Sequence, residues 1–570
     1  MPQLSRRDLI QLALAAGALG LGAVSSRALA QQRLTQEDLL RFEPLGQLTL
    51  LHFADIHAQL LPLYFREPSV NIGVGEAAGL PPHLTGKALL DAYGIGSGTP
   101  EAYALGSTDF AALAKSYGRI GGLDRMATVV KAIRAERPGR TLLLDGGDTW
   151  QGSYTALKTQ GADMVEAMNA LGIEAMTAHW EFTFGAGRVK ELKDTLNFPL
   201  LAANVKDTGF GDPVFDADAV IERGGLAIGI IGQAFPYTPI ANPHWMIPDW
   251  SFGIEEEKIR DRVEALRARK VDLVALLSHN GFDVDRKLAS RVRGIDVILT
   301  GHTHDALPQP VQVGDTLLVA SGSHGKFLSR LDVDVRDRRI AAWRFKLIPL
   351  LSDAIAPDAD MASLIDRIRA PHASVLSQVV ARTESTLYRR GNFGGTMDDL
   401  ICQALLAQRD ADIALSPGFR WGASLLPGQP ITVEDVYNQT AITYPAAYRM
   451  EMKGSRLREI LEDVADNLFN PDPYFQQGGD MVRVGGMSYA IDVSAPMGRR
   501  IADMTSMRTG EKIDPARSYV VAGWASVNEG TQGPPIYDVV LNHLKANPVV
   551  RLDDRHPVRV IGADPRGMTE

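Results

Sequence analysis

The chain has 570 residues, 45% of them hydrophobic and 22% charged, and its formal net charge at pH 7 is −9. This length exceeds that of one ordinary domain, so we expect a globular protein with two domains. The negative charge and the lack of a long basic run in the sequence argue against a nucleic-acid partner.

The first 30 residues have the pattern of an export signal. Arg6 and Arg7 form a twin-arginine pair, an apolar stretch follows, and Ala-Leu-Ala precedes Gln31. An amphipathic helix or a membrane anchor is the alternative, but the apolar stretch is short for a bilayer span. We therefore predict a twin-arginine signal cleaved near Ala30 and a periplasmic mature protein with no membrane segment.

From about residue 47, short β-rich runs alternate with helical segments, which is typical of a layered α/β domain. The runs that predict strands are QLTLLHFADIH, RTLLLDGGD, LAIGIIGQ, VDLVALLSHNG, IDVILTGHTH and DTLLVASGSHG, and helical periodicity marks GLDRMATVVKAIRAER and IEEEKIRDRVEALRARK. Polar residues gather where the strands end, the edge at which such folds bind ligands. We expect this domain to cover residues 31–352.

Three further segments complete the predicted organisation. An insertion at 58–116, rich in Gly, Pro and Ala, is either an ordered cover over the strand ends or disordered, and we favour the cover. Residues 353–382 predict a linking helix, and 383–570 predict a smaller substrate-binding α/β domain. The single cysteine, Cys402, lies in a helical pattern that favours a buried structural thiol over a nucleophile.

Acidic and histidine residues follow successive strands. In chain order they are Asp55, His57, Asp148, His179, His279, His302 and His304. Side chains two residues apart in an extended chain point the same way, so Asp55 and His57 can approach one ion together. A lone histidine after a strand is more often a hydrogen-bonded loop residue, but this many together predict a metal site.

The types and number of these residues indicate the kind of metal site. Carboxylates and imidazoles suit Mn, Fe or Zn, and the lack of thiolates argues against a structural zinc site. Seven ligands exceed the need of one ion. Two ions about 3.5–4 Å apart, bridged by a carboxylate and a water, fit the set better.

The order DxH, GD, His-Trp-Glu, SH and GHxH resembles the calcineurin-like metallophosphoesterase superfamily, and the second domain is similar to the 5′-nucleotidase family. The resemblance implies a four-layer αββα N-terminal domain joined by a helix to a 5′-nucleotidase-type α/β domain. It implies that Asp148 bridges two ions, and we assign the rival carboxylate Asp145 a structural role. The implied ligands are Asp55, His57, Asp148 and His304 for one ion, and Asp148, His179, His279 and His302 for the other.

Two residues depart from the superfamily pattern. His179 stands where the superfamily has Asn, and imidazole is an acceptable replacement ligand. Trp180 stands where it has a catalytic histidine, and an indole cannot shuttle protons near neutral pH. Trp180 either packs in the interior or lines the active site, and its place in the motif favours the lining role.

The loss of the catalytic histidine bears on the leaving group. A thiol has a pKa of about 8.5 against about 15.7 for water, so a thiolate leaves more easily than an alkoxide. The loss is therefore compatible with cleavage of a sulfur–sulfur bond.

The His-Trp-Glu variant, SPGFRWG, QAFPYTPIANP and the twin-arginine start together resemble the SoxB-type thiosulfohydrolases of the Sox thiosulfate-oxidation system. The resemblance implies sulfate release from an S-sulfonate on a cysteine of a SoxYZ-like carrier protein. It also implies two divalent ions, usually Mn²⁺, with Zn or Fe as alternatives. A metal-bridging hydroxide would attack the sulfonate sulfur while the ions offset charge on its oxygens.

Three residues complete the predicted site. Arg420, in SPGFRWG, corresponds to a family position that holds the substrate anion, and a guanidinium suits the fork of sulfonate oxygens. A surface salt bridge is its alternative role. Trp180 would wall the pocket, and Asn280 is either a substrate contact or a turn residue. The loop QQGGDMVRVGGMSY resembles a family loop near the substrate, but we assign it no role, since its glycine pairs can simply make turns.

Two other functions share parts of this pattern. A periplasmic 5′-nucleotidase or cyclic phosphodiesterase would have the same fold and metals, but Trp180 counts against it. A non-enzymatic protein that binds a metal or an anion is the second alternative, and the intact ligand set counts against it.

Overall fold

The computed structural model describes residues 34–553 and 557–569. The predicted export signal, with Arg6, Arg7 and Ala30, lies outside the described residues. Within residues 1–41, the described part contains helix α1 (Gln36–Leu40), whose first turn is capped by Thr35. Across the described ranges, no helix combines the length and apolar character needed to cross a membrane.

The N-terminal part of the remaining chain is built on two sheets, of five strands (order β13-β12-β1-β2-β3) and six strands (order β10-β11-β9-β8-β6-β5). The strands of these sheets are β1 (Leu48–Phe53), β2 (Thr141–Asp145), β3 (Ala175–Met176), β5 (Asp218–Arg223), β6 (Leu226–Gln233), β8 (Leu273–Ser278), β9 (Val297–Thr300), β10 (Val311–Val313), β11 (Thr316–Ala320), β12 (Phe327–Arg336) and β13 (Arg339–Pro349). Strands β4 (Lys206–Asp207) and β7 (Trp250–Ser251) form a separate two-stranded sheet. Every run that predicted a strand contains one.

The two sheets pack face to face around a single apolar core. Leu50 and Leu142 of the first sheet share a buried cluster with Leu273, Leu277 and Val297 of the second. The central strands are buried along their whole length, which explains their nearly continuous apolar sequences.

Among the residues that the structure describes, this part of the chain also contains ten helices. These are α2 (Gly86–Tyr93), α3 (Pro100–Leu105), α4 (Phe110–Tyr117), α5 (Leu123–Glu136), α6 (Tyr154–Thr159), α7 (Ala162–Leu171), α8 (Ala186–Lys193), α9 (Thr238–Ala241), α10 (Glu256–Ala268) and α11 (Phe282–Arg291). Val263 of α10 and Leu288 of α11 share a buried cluster with Leu276 and Ile298 of the six-stranded sheet. The predicted αββα architecture is confirmed.

The insertion at 58–116 is folded, and it contains α2, α3 and α4. Lys326, which follows β11 and has no exposed surface, forms an ion pair with Glu67 of the insertion and donates to the carbonyl oxygen of Ala104 at 2.9 Å. Farther along the insertion, the side-chain amide of Asn71 donates to Asp305 at 3.3 Å. The insertion therefore contacts the strand ends where the histidine motifs lie.

The predicted linking helix is broken in the structure. Helix α12 (Ala359–Arg369) is followed by a 3₁₀ turn at Ala370–His372, a short helix α13 (Ala373–Leu376), and strand β14 from Val379. Pro371 has no backbone N–H to continue the helix. The prediction of one helix over 353–382 was therefore wrong in extent.

The C-terminal part contains three small sheets, in the orders β16-β14-β22, β17-β21-β15-β18 and β20-β19-β23. Its strands are β14 (Val379–Thr383), β15 (Ile413–Ser416), β16 (Pro430–Thr432), β17 (Tyr448–Lys453), β18 (Arg483–Gly485), β19 (Met487–Asp492), β20 (Ile501–Ser506), β21 (Ser518–Gly523), β22 (Val549–Val550) and β23 (Val558–Ile561). Its helices are α14 (Thr396–Arg409), α15 (Val433–Thr440), α16 (Gly454–Phe469) and α17 (Ile536–Ala546). Cys402 of α14 is buried in an apolar cluster, and burial raises the pKa of its thiol well above the usual range, as expected of a structural thiol.

We predict that Glu67→Ala lowers the free energy of unfolding by about 3–5 kcal/mol, because it leaves the buried Lys326 ammonium without its counter-charge. Urea denaturation measures the change. Glu76→Ala, at an exposed position of the same insertion, is the matched control and should change stability by less than about 0.5 kcal/mol. Equal losses for the two variants would show that the buried ion pair does not hold the insertion.

Candidate metal centre

The seven predicted ligands lie just beyond the ends of five strands. Asp55 and His57 follow β1, Asp148 follows β2, and His179 follows β3, and these three strands are parallel neighbours. The other three follow β8 and β9, which are parallel neighbours in the second sheet. Because the sheets are stacked, both rows of strand ends open at one edge of the domain. All seven residues are buried.

The structure brings the seven residues together in two groups that share Asp148. The groups are Asp55, His57, Asp148 and His304, and Asp148, His179, His279 and His302. Within each group, one ligand atom per residue lies within 4.8 Å of every other. Opposite ligands about 2.2 Å from one ion would be about 4.4 Å apart, so each group has the spread that one ion requires. The grouping matches the one that the family resemblance implied.

Hydrogen bonds fix the orientation of two imidazole rings. Nδ1 of His279 lies 2.6 Å from the carbonyl oxygen of Gly146, and Nδ1 of His57 lies 3.4 Å from Oε1 of Gln151. Donation from Nδ1 leaves Nε2 of each ring as the acceptor that faces the centre. Nε2 of His57 lies 3.1 Å from Nε2 of His304, a close approach of two ring nitrogens that a shared cation would stabilise.

Several buried ring nitrogens lack hydrogen-bond partners among the described residues. Those at the centre are Nε2 of His179, Nε2 of His279, Nδ1 of His304 and both nitrogens of His302. Buried polar atoms are nearly always satisfied, and exceptions in a cluster need an explanation. Metal coordination would supply the missing partners, so the residues present fit a pair of ions.

The electrostatics of the centre also favour cations. Burial alone would raise the pKa of Asp148, but His179 and His279 outweigh burial and hold it well below its usual range. Burial alone would lower the pKa of His279, yet Asp148 and Asp55 raise it to about 10. Burial raises the pKa of Asp55 well above its usual range, so a cation beside it would offset the cost of burying its charge.

The backbone at the centre adopts a conformation that is uncommon outside glycine. Five of the seven predicted ligands have positive φ, at Asp55 (55°), His57 (49°), Asp148 (59°), His302 (76°) and His304 (61°). Such residues cost roughly 1–3 kcal/mol each and cluster at functional sites. The uncommon backbone conformation therefore coincides with the predicted ligand positions.

Glu181 organises the two segments that carry Asp148 and His179. Its buried carboxylate accepts the backbone N–H groups of His179 at 2.8 Å, Thr149 at 2.6 Å, Trp150 at 3.2 Å and Asp148 at 3.3 Å. One side chain thus joins the turn after β2 to the turn after β3. Sequence patterns alone predict no role for Glu181, although it completes the His-Trp-Glu motif.

Asp145, the rival carboxylate, belongs to neither group. It accepts the N–H of Gly147 at 2.9 Å and the hydroxyl of Thr149 at 2.8 Å, so it shapes the turn that presents Asp148. Burial raises the pKa of Asp145 to about 7. Its contacts are those of a structural residue at a strand end.

A cavity of about 260 Å³ opens onto the two groups. Its lining includes Asp148, Trp180, Phe419, Arg420 and Trp421. The Trp180 ring meets Phe419 and Trp421 edge to face at 5.4 and 5.0 Å, and its backbone N–H donates to Asp148 at 2.7 Å. The structure therefore places Trp180 both in the wall of the cavity and against the shared carboxylate.

Arg420 reaches the same cavity from the C-terminal part of the chain. Its Nε donates to Asp480 at 3.3 Å, one terminal nitrogen donates to the carbonyl oxygen of His302 at 3.3 Å, and the other donates to Gly479. A guanidinium has five N–H groups, so one N–H on each terminal nitrogen is left over. This fork suits two oxygens of one anion.

Asn280 does not share a cavity with Trp180. It lines a smaller cavity of about 60 Å³, to which Arg420 and His302 also contribute. Its amide donates to Asp285 at 2.9 Å and accepts from Gln233 at 3.3 Å. The structure does not place it in the lining of the larger cavity, and its role as a substrate contact stays a prediction.

Other residues of the centre were not singled out from the sequence. Gln151 orients His57, Phe235 stacks on His302 at 4.0 Å, and Asp480 pairs with Arg420. Phe235 lies within QAFPYTPIANP and Asp480 lies within the QQGGD loop. Both segments resemble segments of the family. Gln151 lies three residues after Asp148, and no sequence motif marks it as part of the centre.

Comparison with solved structures identifies the family. The structure is similar to that of the sulfate thiohydrolase SoxB of Thermus thermophilus in complex with glycerol, with a TM-score of 0.88 and 37% identity. The match covers 92% of this chain and 98% of that one. The chain belongs to the SoxB family.

This SoxB-family chain is also similar to 5′-nucleotidases in sequence and in structure. Residues 375–540 match the family model described as 5′-nucleotidase, C-terminal domain. Rat 5′-nucleotidase is 26% identical over 477 residues, which are 74% of this chain and 80% of the rat protein. A 5′-nucleotidase precursor from Thermus thermophilus shares the fold, with a TM-score of 0.70 at 23% identity over 90% of this chain and 99% of that one. These families are metal-dependent hydrolases, and the chain is one of them.

We predict that Glu181→Ala lowers the free energy of unfolding by more than about 3 kcal/mol, since it leaves four buried N–H groups without an acceptor. It should also lower the affinity for divalent ions, because the segments of Asp148 and His179 are no longer joined. Calorimetric titration with Mn²⁺ and urea denaturation measure the two effects. Glu191→Ala, at an exposed position of α8, is the control, and wild-type Mn²⁺ affinity in Glu181→Ala would contradict the organising role.

Proposed function

We propose that this chain is a periplasmic two-metal hydrolase that releases sulfate from a cysteine-bound S-sulfonate on a SoxYZ-like carrier protein in thiosulfate oxidation. The observation that carries the proposal is an intact pair of Asp/His groups with Trp180 in place of the usual catalytic histidine. The similarity to SoxB over nearly the whole chain supports it. The proposal includes export by the twin-arginine signal and the domain limits at residues 30, 352 and 382.

In this proposal the two groups that share Asp148 hold two divalent ions, usually manganese in this family, while the Asp/His chemistry also accepts Zn or Fe. When bound, such a pair supplies a water of lowered pKa and offsets negative charge on the oxygens of the substrate. The protein contributes the fixed ligand positions. Gln151 and the Gly146 carbonyl orient the rings, and Glu181 holds the shared carboxylate in place.

The side chains around the cavity provide no free acid to protonate a leaving group. Apart from the proposed ligands, the ionisable side chains of the described lining are Arg420, Tyr444 and Asp480. The hydroxyl of Tyr444 already donates to the carbonyl oxygen of Ala241 at 2.6 Å, and burial raises its pKa far above neutrality, so it is a weak acid. Burial alone would raise the pKa of Asp480, but Arg420 and Arg483 hold it below its usual value. The leaving group must therefore depart unprotonated, which suits a sulfur anion and disfavours an alkoxide.

Two residues would bind the substrate. The free N–H groups of Arg420 would donate to two sulfonate oxygens, and the surrounding contacts hold the guanidinium still. The ring of Trp180 would exclude water from the wall of the cavity.

Hydrolysis of nucleotides or cyclic phosphodiesters is the second candidate function, favoured by the match to the 5′-nucleotidase C-terminal domain. Expulsion of a ribose alkoxide would lack the acid that Trp180 has replaced. The functional test compares sulfate release from a carrier loaded with cysteine S-sulfonate with phosphate release from AMP, under the same metal conditions. The proposal expects turnover of the carrier and little turnover of AMP, and the reverse preference would refute it.

Asp148→Ala should abolish hydrolysis together with metal occupancy, because both proposed ions lose a ligand. We expect fewer than two ions per chain by elemental analysis and a loss of at least about 10³-fold in rate. Asp145→Asn is the matched control three residues earlier and should retain both ions. If Asp148→Ala kept its ions and its activity, the proposed bridging role would be wrong.

Arg420→Ala should lower kcat/KM by about 10²-fold while both ions stay bound, since it removes two charge-assisted hydrogen bonds to the substrate and no ligand. Steady-state kinetics and elemental analysis of the same sample measure these properties. Arg566→Ala, in an exposed ion pair, is the control. Loss of metal from Arg420→Ala would mean that the residue supports the centre rather than the substrate.

A further inference from the structure

The segment Gln476–Asp480, which we call the glycine strap, crosses the metal centre with two consecutive glycines. Gly478 and Gly479 have nearly the same backbone conformation, with φ of +74° and +76°. A Cβ on Gly478 would lie 1.9 Å from Nε2 of His302, whereas a Cβ on Gly479 would meet nothing closer than the carbonyl oxygen of Gly418 at 3.7 Å. The two glycines have a similar conformational requirement, but only Gly478 is also required by space.

Neighbouring aromatic rings flank the His302 ring. Phe235 stacks on it with ring centroids 4.0 Å apart, and the rings of His179 and His279 lie 5.1 and 5.4 Å away. The backbone of His302 is also fixed, because its N–H donates to Asp55 at 2.9 Å and its carbonyl oxygen accepts from Arg420. A side chain on Gly478 would therefore displace either the strap or the imidazole.

Both nitrogens of the His302 ring are buried without hydrogen-bond partners among the described residues. The space in front of Nε2 is filled by Gly478, so Nδ1 is the nitrogen left to face an ion. We propose that Gly478 is a positioning residue of the metal centre. Its missing side chain lets the glycine strap close on Nε2 of His302. The ring would then be fixed with Nδ1 directed to the ion that its own group, which includes Asp148, is proposed to hold.

The strap also connects this ligand to the anion-binding arginine. The carbonyl oxygen of Gly479 and the carboxylate of Asp480 both accept from Arg420, and the N–H of Asp480 donates to Gly418 at 2.8 Å. One short segment thus fixes His302 and Arg420 relative to each other. The inference rests on the proposed role of His302 as a ligand, but it does not depend on which bond is hydrolysed.

The test compares Gly478→Ala with Gly479→Ala in the full chain. We expect Gly478→Ala to weaken binding of one of the two Mn²⁺ ions by about 10- to 100-fold, as loss of a partner that orients a ligand does. Gly479→Ala should bind both ions with affinity close to that of the wild type. Calorimetric titration gives the affinities, and the visible absorption of the Co²⁺-loaded protein reports the altered coordination. Wild-type affinity and an unchanged Co²⁺ spectrum in Gly478→Ala would overturn the proposal.

A second pair of variants separates the contact from general destabilisation. In a His302→Ala background the Cβ at position 478 has room, so adding Gly478→Ala should lower Tm no more than adding Gly479→Ala does. A larger Tm loss from Gly478→Ala that persists in this background would overturn the proposal, even if Gly478→Ala alone fails to fold. If His302→Ala itself retains both ions at wild-type affinity, the ligand assignment and this inference fall together. Failure of S-sulfonate hydrolysis would be detected separately, by the comparison with AMP.

Discussion

The centre depends on one buried carboxylate, Asp148, to which both groups of predicted ligands belong. Two carboxylates and five imidazoles are packed away from water where the strand ends of two stacked sheets meet. Burying ionisable groups together is costly without compensating charge, and bound cations would supply positive charge next to the two carboxylates. Three features hold the side chains in place around this centre. They are the left-handed backbone at five predicted ligands, the Glu181 contacts and the glycine strap.

The cavity next to the centre explains how the chain differs from its nucleotidase relatives. The metal-binding pattern is kept, but an indole that cannot donate a proton near neutral pH occupies the acid's position. The surrounding wall is aromatic, with Phe419 and Trp421 packed against Trp180. Arg420 adds a fixed fork for an anion. A site without an acid favours substrates with good leaving groups, and in the proposed function this links Trp180 to sulfur chemistry.

Local sequence patterns were sufficient to predict six strands of the two large sheets and the seven residues of the centre. Apolar runs that end in DxH, GGD, SHNG or GHTH specify both a strand and the residues at its end, and parallel strands bring those ends together. The patterns could not predict the break at Pro371 in the linker, or the four N–H groups held by Glu181. They also could not predict that Gly478 contacts His302, because that contact joins segments far apart in the chain and depends on packing between the two parts of the fold.

The central claim is that the metal centre cleaves its substrate without protonating the leaving group. The most direct measurement is kcat/KM for a series of S-sulfonates whose thiols differ in pKa, together with a sulfate ester whose leaving group is an alkoxide. The account predicts rates that rise steeply as the thiol pKa falls, and negligible turnover of the ester. Rates that are nearly independent of the leaving group, with the ester cleaved as readily as the S-sulfonates, would contradict it.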